Sequence, residues 1–250
     1  MASFACKKGG QENIGDKAMG GATSARMGSS AQGKKEWCGF RGQATLSVRM
    51  AVASKSGIVR SMSGAKKAAL REEMRVRMAR WNEEGRRGAS QKIEETVLGR
   101  TEWREASVVG FYLSLTDEPQ TRGLLQKAWG EGKKVYLPKI DIREGLTWWE
   151  ISPCHLPETG TLWEPSPDLS VRRSLEEVGL FLVPGRAFDS KGARLGRGGG
   201  HYDRALARRG RTSCVMGIFF AQQEVEQIPV EPHDIPLPHV VTENGWRKLL

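Results

Sequence analysis

No run of about 18 apolar residues occurs in the 250-residue chain, so no membrane-crossing helix is expected. Cysteine is scarce: Cys6, Cys38, Cys154 and Cys214 lie far apart and form no C-x-x-C pair. That excludes a disulfide framework or a zinc ribbon and points to free thiols in a reducing compartment. Cys154 and His155 are adjacent, but no second such pair stands near enough to complete a metal site. Two phosphate-binding patterns are missing as well. There is no G-x-x-x-x-G-K-S/T loop, and the best candidate for G-x-G-x-x-G has His201 at its sixth position. No repeat of about 20 to 50 residues is visible, which excludes a solenoid.

Charge is abundant but unevenly placed. The formal net charge is +10. Residues 1–62 hold ten Lys/Arg and three Asp/Glu, whereas the remaining 188 hold 29 and 26. The basicity that would suggest nucleic acid belongs mostly to this leader, and the rest is nearly balanced. The leader is rich in Gly, Ala and Ser, has no sustained apolar period and no secretory apolar core. It reads as a disordered or spurious extension ahead of a start at Met62, or as an organellar transit peptide, being Arg- and Ser-rich and acid-poor after Asp16. A cytoplasmic location is expected, with organellar import if the leader is a transit peptide.

From Ser63 onward the chain alternates helical and strand patterns. Ala68, Leu70, Met74, Met78 and Trp81 recur at helical spacing over 65–84, with Ser63 as N-cap. A second helix is expected over 89–103 and a third over 119–132. Strands are expected over 107–114, 134–140, 145–152, 178–184 and 213–220, with an edge strand near 239–241. A further helix should open at the glycines near Gly198. This predicts one α/β domain over 63–250, a three-layer sandwich whose mostly parallel, Rossmann-like sheet is flanked by helices.

One segment is dense in chemistry. A buried strand ends at Pro184-Gly185, and a loop leads to Gly196, Gly198, Gly199 and Gly200 at the mouth of a helix. Glycines let a backbone approach a ligand closely, and a helix start offers free N–H groups to an anion. Arg194 and Arg197 add guanidinium forks suited to phosphate or carboxylate. Asp203, one turn into the helix, suits Mg²⁺, which prefers one or two carboxylates plus phosphate oxygens. Together these read as a nucleotide-phosphate site. Trp148, Trp149 and Trp163 could stack on a ring, though packing is the plainer reading, and Trp148 and Trp149 must face opposite ways in a strand.

The segment resembles the signature of the 5-formyltetrahydrofolate cyclo-ligase family, also called 5,10-methenyltetrahydrofolate synthetase. The pattern P-G-x-x-F-D-x-x-G-x-R-L-G-x-G-x-G-x-Y-D is matched without gaps from Pro184 to Asp203. Lys67 to Arg71 is similar to the family's K-x-x-L-R. Tyr112, Ser114, Glu118 and Thr121 resemble its substrate segment. Tyr136-Leu137-Pro138 and Pro232-His233-Asp234-Ile235-Pro236 resemble later motifs, and Gly160-x-x-x-Glu164-Pro165 loosely matches a turn. The likeness covers about residues 63–245 and leaves the leader outside.

The resemblance implies an ATP- and Mg²⁺-dependent ligase acting on 5-formyltetrahydrofolate, including polyglutamylated forms. It implies catalytic roles for Lys67 and Arg197. It places ATP on Lys67, Arg71, Arg194, Leu195, Gly196, Arg197, Gly198, Gly199, Gly200, His201 and Tyr202. It places the folate on Leu115, Glu118, Gln120 and the stretch from Arg197 to His201, and Mg²⁺ on Asp203 and Asp234. Three positions depart from the family's usual residues: His201 for Tyr, Gly199 for Lys in some members, and Gln120 for an acid. Nothing marks an interface, so a monomer is expected. Two rivals remain, a relative that binds nucleotide without turnover and a basic nucleic-acid-associated α/β protein. The cluster Arg204, Arg208, Arg209 and Arg211 reads as a solvated face or as an attractor for anionic ligands.

Overall fold

The computed structural model describes residues 49–156 and 165–250, with side chains from Met62 onward. The expectations for most of the leader, for Gly160 and Glu164, and for Trp163 lie outside the described residues. Helix α1 (Arg49–Ala79) begins earlier than the apolar period suggested, so Ser63 stands within it and not at its N-cap. Nothing between Arg49 and Ser63 breaks a helix, since no proline occurs there. Asn82 then caps α2 (Glu83–Leu98) by accepting a bond from Gly85 N–H at 2.8 Å. This cap moves the helix start ahead of the apolar residues, into the polar turn Glu83-Glu84. Gly99 ends α2, and the expected 89–103 helix is split there, with α3 (Thr101–Glu105) following. Helix α4 (Arg122–Gly130) and α5 (His201–Leu206) complete the set.

The strands in chain order are β1 (Val108–Gly110), β2 (Lys134–Asp141), β3 (Gly145–Glu150), β4 (Val171–Arg173) and β5 (Leu180–Val183). They continue as β6 (Ala187–Phe188), β7 (Arg194–Leu195), β8 (Cys214–Ile218), β9 (His239–Thr242) and β10 (Gly245–Lys248). Eight form one sheet in the order β10-β9-β8-β5-β1-β2-β3-β4, and β6 and β7 make a separate hairpin. The five middle strands, from β9 to β2, are parallel. β3 and β4 extend one side antiparallel, and β10 the other. The expected edge strand is therefore covered, because the polar Gly-Trp-Arg-Lys of β10 pairs with β9. Four-residue or shorter strands such as β4, β6, β7 and β10 carry too little alternation to be read from sequence.

Alternation along the middle strands divides the core. Val109, Leu180, Leu182, Met216 and Ile218 join α2, α3 and α4 through Ile93, Val97, Trp103, Leu124 and Leu125. Val108, Phe181, Val183 and Val215 point the other way and join α5 through Ala205 and Leu206. Helices thus cover both faces, as a parallel sheet requires. Trp148 is buried on the α5 side and Trp149 packs on the other, as a strand demands.

The hairpin explains part of the signature without chemistry. Asp189 is 1 % exposed and its carboxylate is consumed by backbone. Its Oδ1 accepts from the N–H groups of Lys191 and Ala193, and its Oδ2 accepts from Ile228 N–H at 3.0 Å. Gly192 stands at φ 82°, and a Cβ there would lie 2.6 Å from the Leu237 carbonyl oxygen, so both conformation and space demand glycine. Asp189→Ala strands three backbone donors and is expected to cost about 2–4 kcal/mol of unfolding free energy, read by urea denaturation.

The thiols are predicted to differ in reactivity. Burial pushes the Cys214 thiol up to about 11, while Cys154 is exposed. At pH 8 alkylation mapped by peptide mass should mark Cys154 at least about ten times faster than Cys214. The Cys214 rate should climb as pH approaches that value.

Candidate active site

Strand β1 connects through α4 to β2 on one side, while β5 pairs with its other side. The chain order therefore reverses at β1, and a crevice opens beyond the carboxyl ends of these strands. β1 ends at Gly110, opposite Tyr136, whereas β2 runs on to Asp141 with only β3 beside it. Pro138, with no N–H to give, occupies that unpaired stretch. A cavity of about 390 Å³ lies there.

Its two walls differ in kind. One is apolar, formed by Tyr112, Leu113, Leu115, Leu137, Pro138, Ile140 and Leu146. The other comes from the Gly-rich loop and α5: Arg194, Gly196, Arg197, Gly199, Gly200, His201, Tyr202 and Asp203. Gly200 N-caps α5 in the left-handed region, at φ 61°. Gly198 stands at φ 112°, and an added Cβ would lie 3.5 Å from the Arg71 guanidinium carbon.

The cations are held by carboxylates. Arg194 Nη2 donates to Asp203 Oδ1 at 2.9 Å, and the same oxygen accepts from Ile235 N–H at 3.2 Å. Lys67 Nζ donates to Asp234 Oδ2 at 2.7 Å and to Glu231 Oε2 at 3.1 Å. Burial opposes the Lys67 charge, yet hydrogen bonds and attraction from Asp234 and Glu231 outweigh it and hold its pKa above the ordinary lysine value. Arg71 Nε donates to the Gly196 carbonyl at 2.8 Å. Arg197 reaches to the facing turn, donating to Glu118 Oε1 at 2.9 Å and Asp117 Oδ1 at 3.2 Å. Burial, then the Glu118 charge, raises the pKa of both Tyr112 and Tyr202, which stay protonated near neutral pH.

A family model of the 5-formyltetrahydrofolate cyclo-ligase family matches residues 63–243. The chain belongs to this family. It is 32 % identical to 5-formyltetrahydrofolate cyclo-ligase of Haemophilus influenzae over 185 residues, which are 70 % of this chain and 97 % of that one. It is 29 % identical to the protein of that name from Mus musculus, over 72 % of this chain and 94 % of that one. The solved structure of 5,10-methenyltetrahydrofolate synthetase from Aquifex aeolicus superposes with a TM-score of 0.64 at 30 % identity, covering 73 % of this chain and 92 % of that chain. The mostly parallel α/β sheet is shared, and the chain is an enzyme of the cyclo-ligase family.

Most of the residues singled out from the sequence meet at the cavity: Leu115, Glu118, Arg194, Arg197, His201, Tyr202 and Asp203 line it with Gly196, Gly199 and Gly200. Gly198 flanks it. Lys67 and Arg71 sit one turn apart on α1 and hold the loops from behind, through Asp234 and Gly196. Leu195 packs with Met74, Ala187, Ala193 and Ile228 in a small core beneath the loop. Gln120 is set apart: it is exposed, does not line the cavity, and its N–H donates to Ser90 Oγ.

Asp203 and Asp234 do not form one ligand group, though Ile235 N–H joins their segments. Among the described residues, the group whose ligand atoms lie within 4.8 Å of one another is Glu231, His233 and Asp234. Asp117, Arg186 and Glu231, with Leu113, Ile140 and Leu146 of the apolar wall, were not singled out by sequence reasoning. Asp117 stood beside Glu118, and Arg186 stood inside the signature at an unspecified position, so both had a positional signal.

Lys67→Met breaks two contacts of a lysine that is 8 % exposed. It is expected to lower stability by about 2 kcal/mol in chemical denaturation, because Asp234 and Glu231 lose their shared cation.

Proposed function

We propose that the chain converts 5-formyltetrahydrofolate, ATP and Mg²⁺ to 5,10-methenyltetrahydrofolate, ADP and phosphate, within a single catalytic domain spanning residues 63–250. The observation that carries this reading is the cavity with one apolar wall and one wall of glycines and arginines. A pterin and aminobenzoyl system suits the first, and a triphosphate suits the second. The formyl oxygen is a poor leaving group. It attacks the γ-phosphorus of ATP, giving ADP and an iminium phosphate; N10 then bonds to the formyl carbon and loses its proton, and the carbon–oxygen bond breaks as phosphate departs with that oxygen.

The protein's share of this chemistry is alignment and charge stabilisation. Arg194 and Arg197 offer donors to the phosphate oxygens, and the Gly196–Gly200 backbone allows close approach. Tyr112 and Tyr202, both protonated, form part of the folate's surroundings without adding charge. Lys67 and Arg71 hold the loops that carry these groups. Carboxylate oxygens suit a hard cation: Asp203 and Asp234, which stand apart as the loops are placed, would each offer one to Mg²⁺, which would supply neutralisation of phosphate charge.

Methenyltetrahydrofolate formation, followed by its near-ultraviolet absorbance, tests the reading. Growth of the signal that requires both ATP and Mg²⁺ is expected. Bound ATP with no signal would favour the catalytically diverged relative. Asp203→Asn keeps the size and the acceptor facing Arg194 and Ile235. It should lower kcat at least about 100-fold and also lower Tm, because Arg194 loses its anion, while leaving the chain folded at assay temperature; unchanged turnover would remove Asp203 from the metal site.

A further inference from the structure

Arg186 lies just past the Pro184-Gly185 turn, and its backbone is fixed at both ends. Its N–H donates to the Leu195 carbonyl at 2.7 Å. Its carbonyl accepts from Gln223 Nε2 at 3.1 Å, and that same amide nitrogen also donates to the Gly185 carbonyl at 2.9 Å. Gln223 is 1 % exposed, so this platform is rigid. From it the Arg186 side chain, half-buried, forms an ion pair with Asp117 Oδ2. The other oxygen of Asp117 accepts from Arg197. Asp117 is thus shared between a fixed arginine outside the cavity and an arginine on the Gly-rich loop. Next to it, Glu118 takes a second bond from Arg197, while its Oε2 accepts from Leu115 N–H, which closes the turn.

This arrangement poses a problem for Arg197. A guanidinium tied across the cavity by two carboxylates is not free to turn to a phosphate. Sharing weakens that tie, because Arg186 draws part of the Asp117 charge. Arg186 in turn needs Asp117. Burial and the nearby charges of Arg197 and Arg75 all disfavour its cationic form.

We propose that Arg186 is a positioning residue for the reaction: by competing for Asp117 it keeps Arg197 releasable, so that Arg197 can leave the facing turn for a phosphate anion. The inference rests on the reading of the cavity as an ATP site. Arg186 itself does not line the cavity and acts only through Asp117 and Arg197.

The test uses the full chain and four forms: wild type, Arg186→Leu, Arg186→Lys, and Arg186→Leu with Asp117→Asn. Wild-type turnover is measured first, since its absence would overturn the reading of the site and not this inference alone. Where wild type is active, Arg186→Leu leaves Asp117 to Arg197. The KM for ATP should then rise about five-fold or more, while the KM for 5-formyltetrahydrofolate changes less than two-fold. Arg186→Lys should stay within about two-fold of wild type. The added Asp117→Asn should bring the KM for ATP back at least halfway, although it removes a second ion-pairing group. A role confined to stability would instead lower Tm in Arg186→Leu, raise neither KM selectively, and be made worse by Asp117→Asn. An unchanged KM for ATP in Arg186→Leu, or no rescue by Asp117→Asn, would overturn the proposal.

Discussion

The site depends on one partly buried charge pair. The Arg194 side chain is 3 % exposed, and a guanidinium so placed is tolerated only beside an anion. Asp203 supplies it, and the same carboxylate oxygen takes the N–H of Ile235. Three chain segments, the β7 strand, the start of α5 and the loop after Glu231, are thereby fixed against one another. α5 is only six residues long and would not hold its own position. Its anchorage comes from Asp203 on one side and from Ala205 and Leu206 in the core on the other.

Around that pair the family signature separates into two kinds of residue. Asp189, Gly192 and Leu195 serve the fold: a carboxylate spent on three backbone N–H groups, a glycine pressed against the Leu237 carbonyl, and a leucine in a small core. Arg194, Gly196, Arg197, Gly200 and Asp203 face the cavity. The two kinds share one short run and interleave at Arg194, Leu195 and Gly196, so a motif read as a single chemical unit is partly scaffold. This is why Asp189, although a conspicuous acid, is a poor candidate for a reactive group, and Asp203, fourteen positions on, is a good one.

The middle of the sheet was legible because β5 and β8 are buried on both faces and read as apolar runs between turn signals. The helix starts were less so. The polar first turn of α2 hides its cap from an apolar pattern, and α1 runs on through Ser63 because nothing stops it. The Gly-rich wall was legible because glycines, arginines and an acid are contiguous there. The apolar wall was legible only in part: Tyr112 and Leu115 came with the resemblance, but Ile140 and Leu146 lie on two further strands that only the sheet order brings beside them. Gln120 stands apart. The resemblance placed it with Glu118 on the folate, and the turn that buries Glu118 leaves Gln120 exposed.

The cations of this site come already matched. Arg194 faces Asp203, Lys67 faces Asp234 and Glu231, and Arg197 faces Asp117 and Glu118. A bare polyanion entering the cavity would gain the arginines only by setting its charge beside their carboxylates. On the proposed reading that difficulty selects the ligand. A nucleotide that brings its own divalent cation offers each side a new partner, phosphate oxygens for the guanidinium groups and a cation for the carboxylates. Charge balance is then kept before and after binding, and only the pairings change. Such a site binds weakly to anions in general, since most of them cannot satisfy both halves of the exchange. On that reading, discrimination draws on the pre-paired charges as well as on the shape of the cavity.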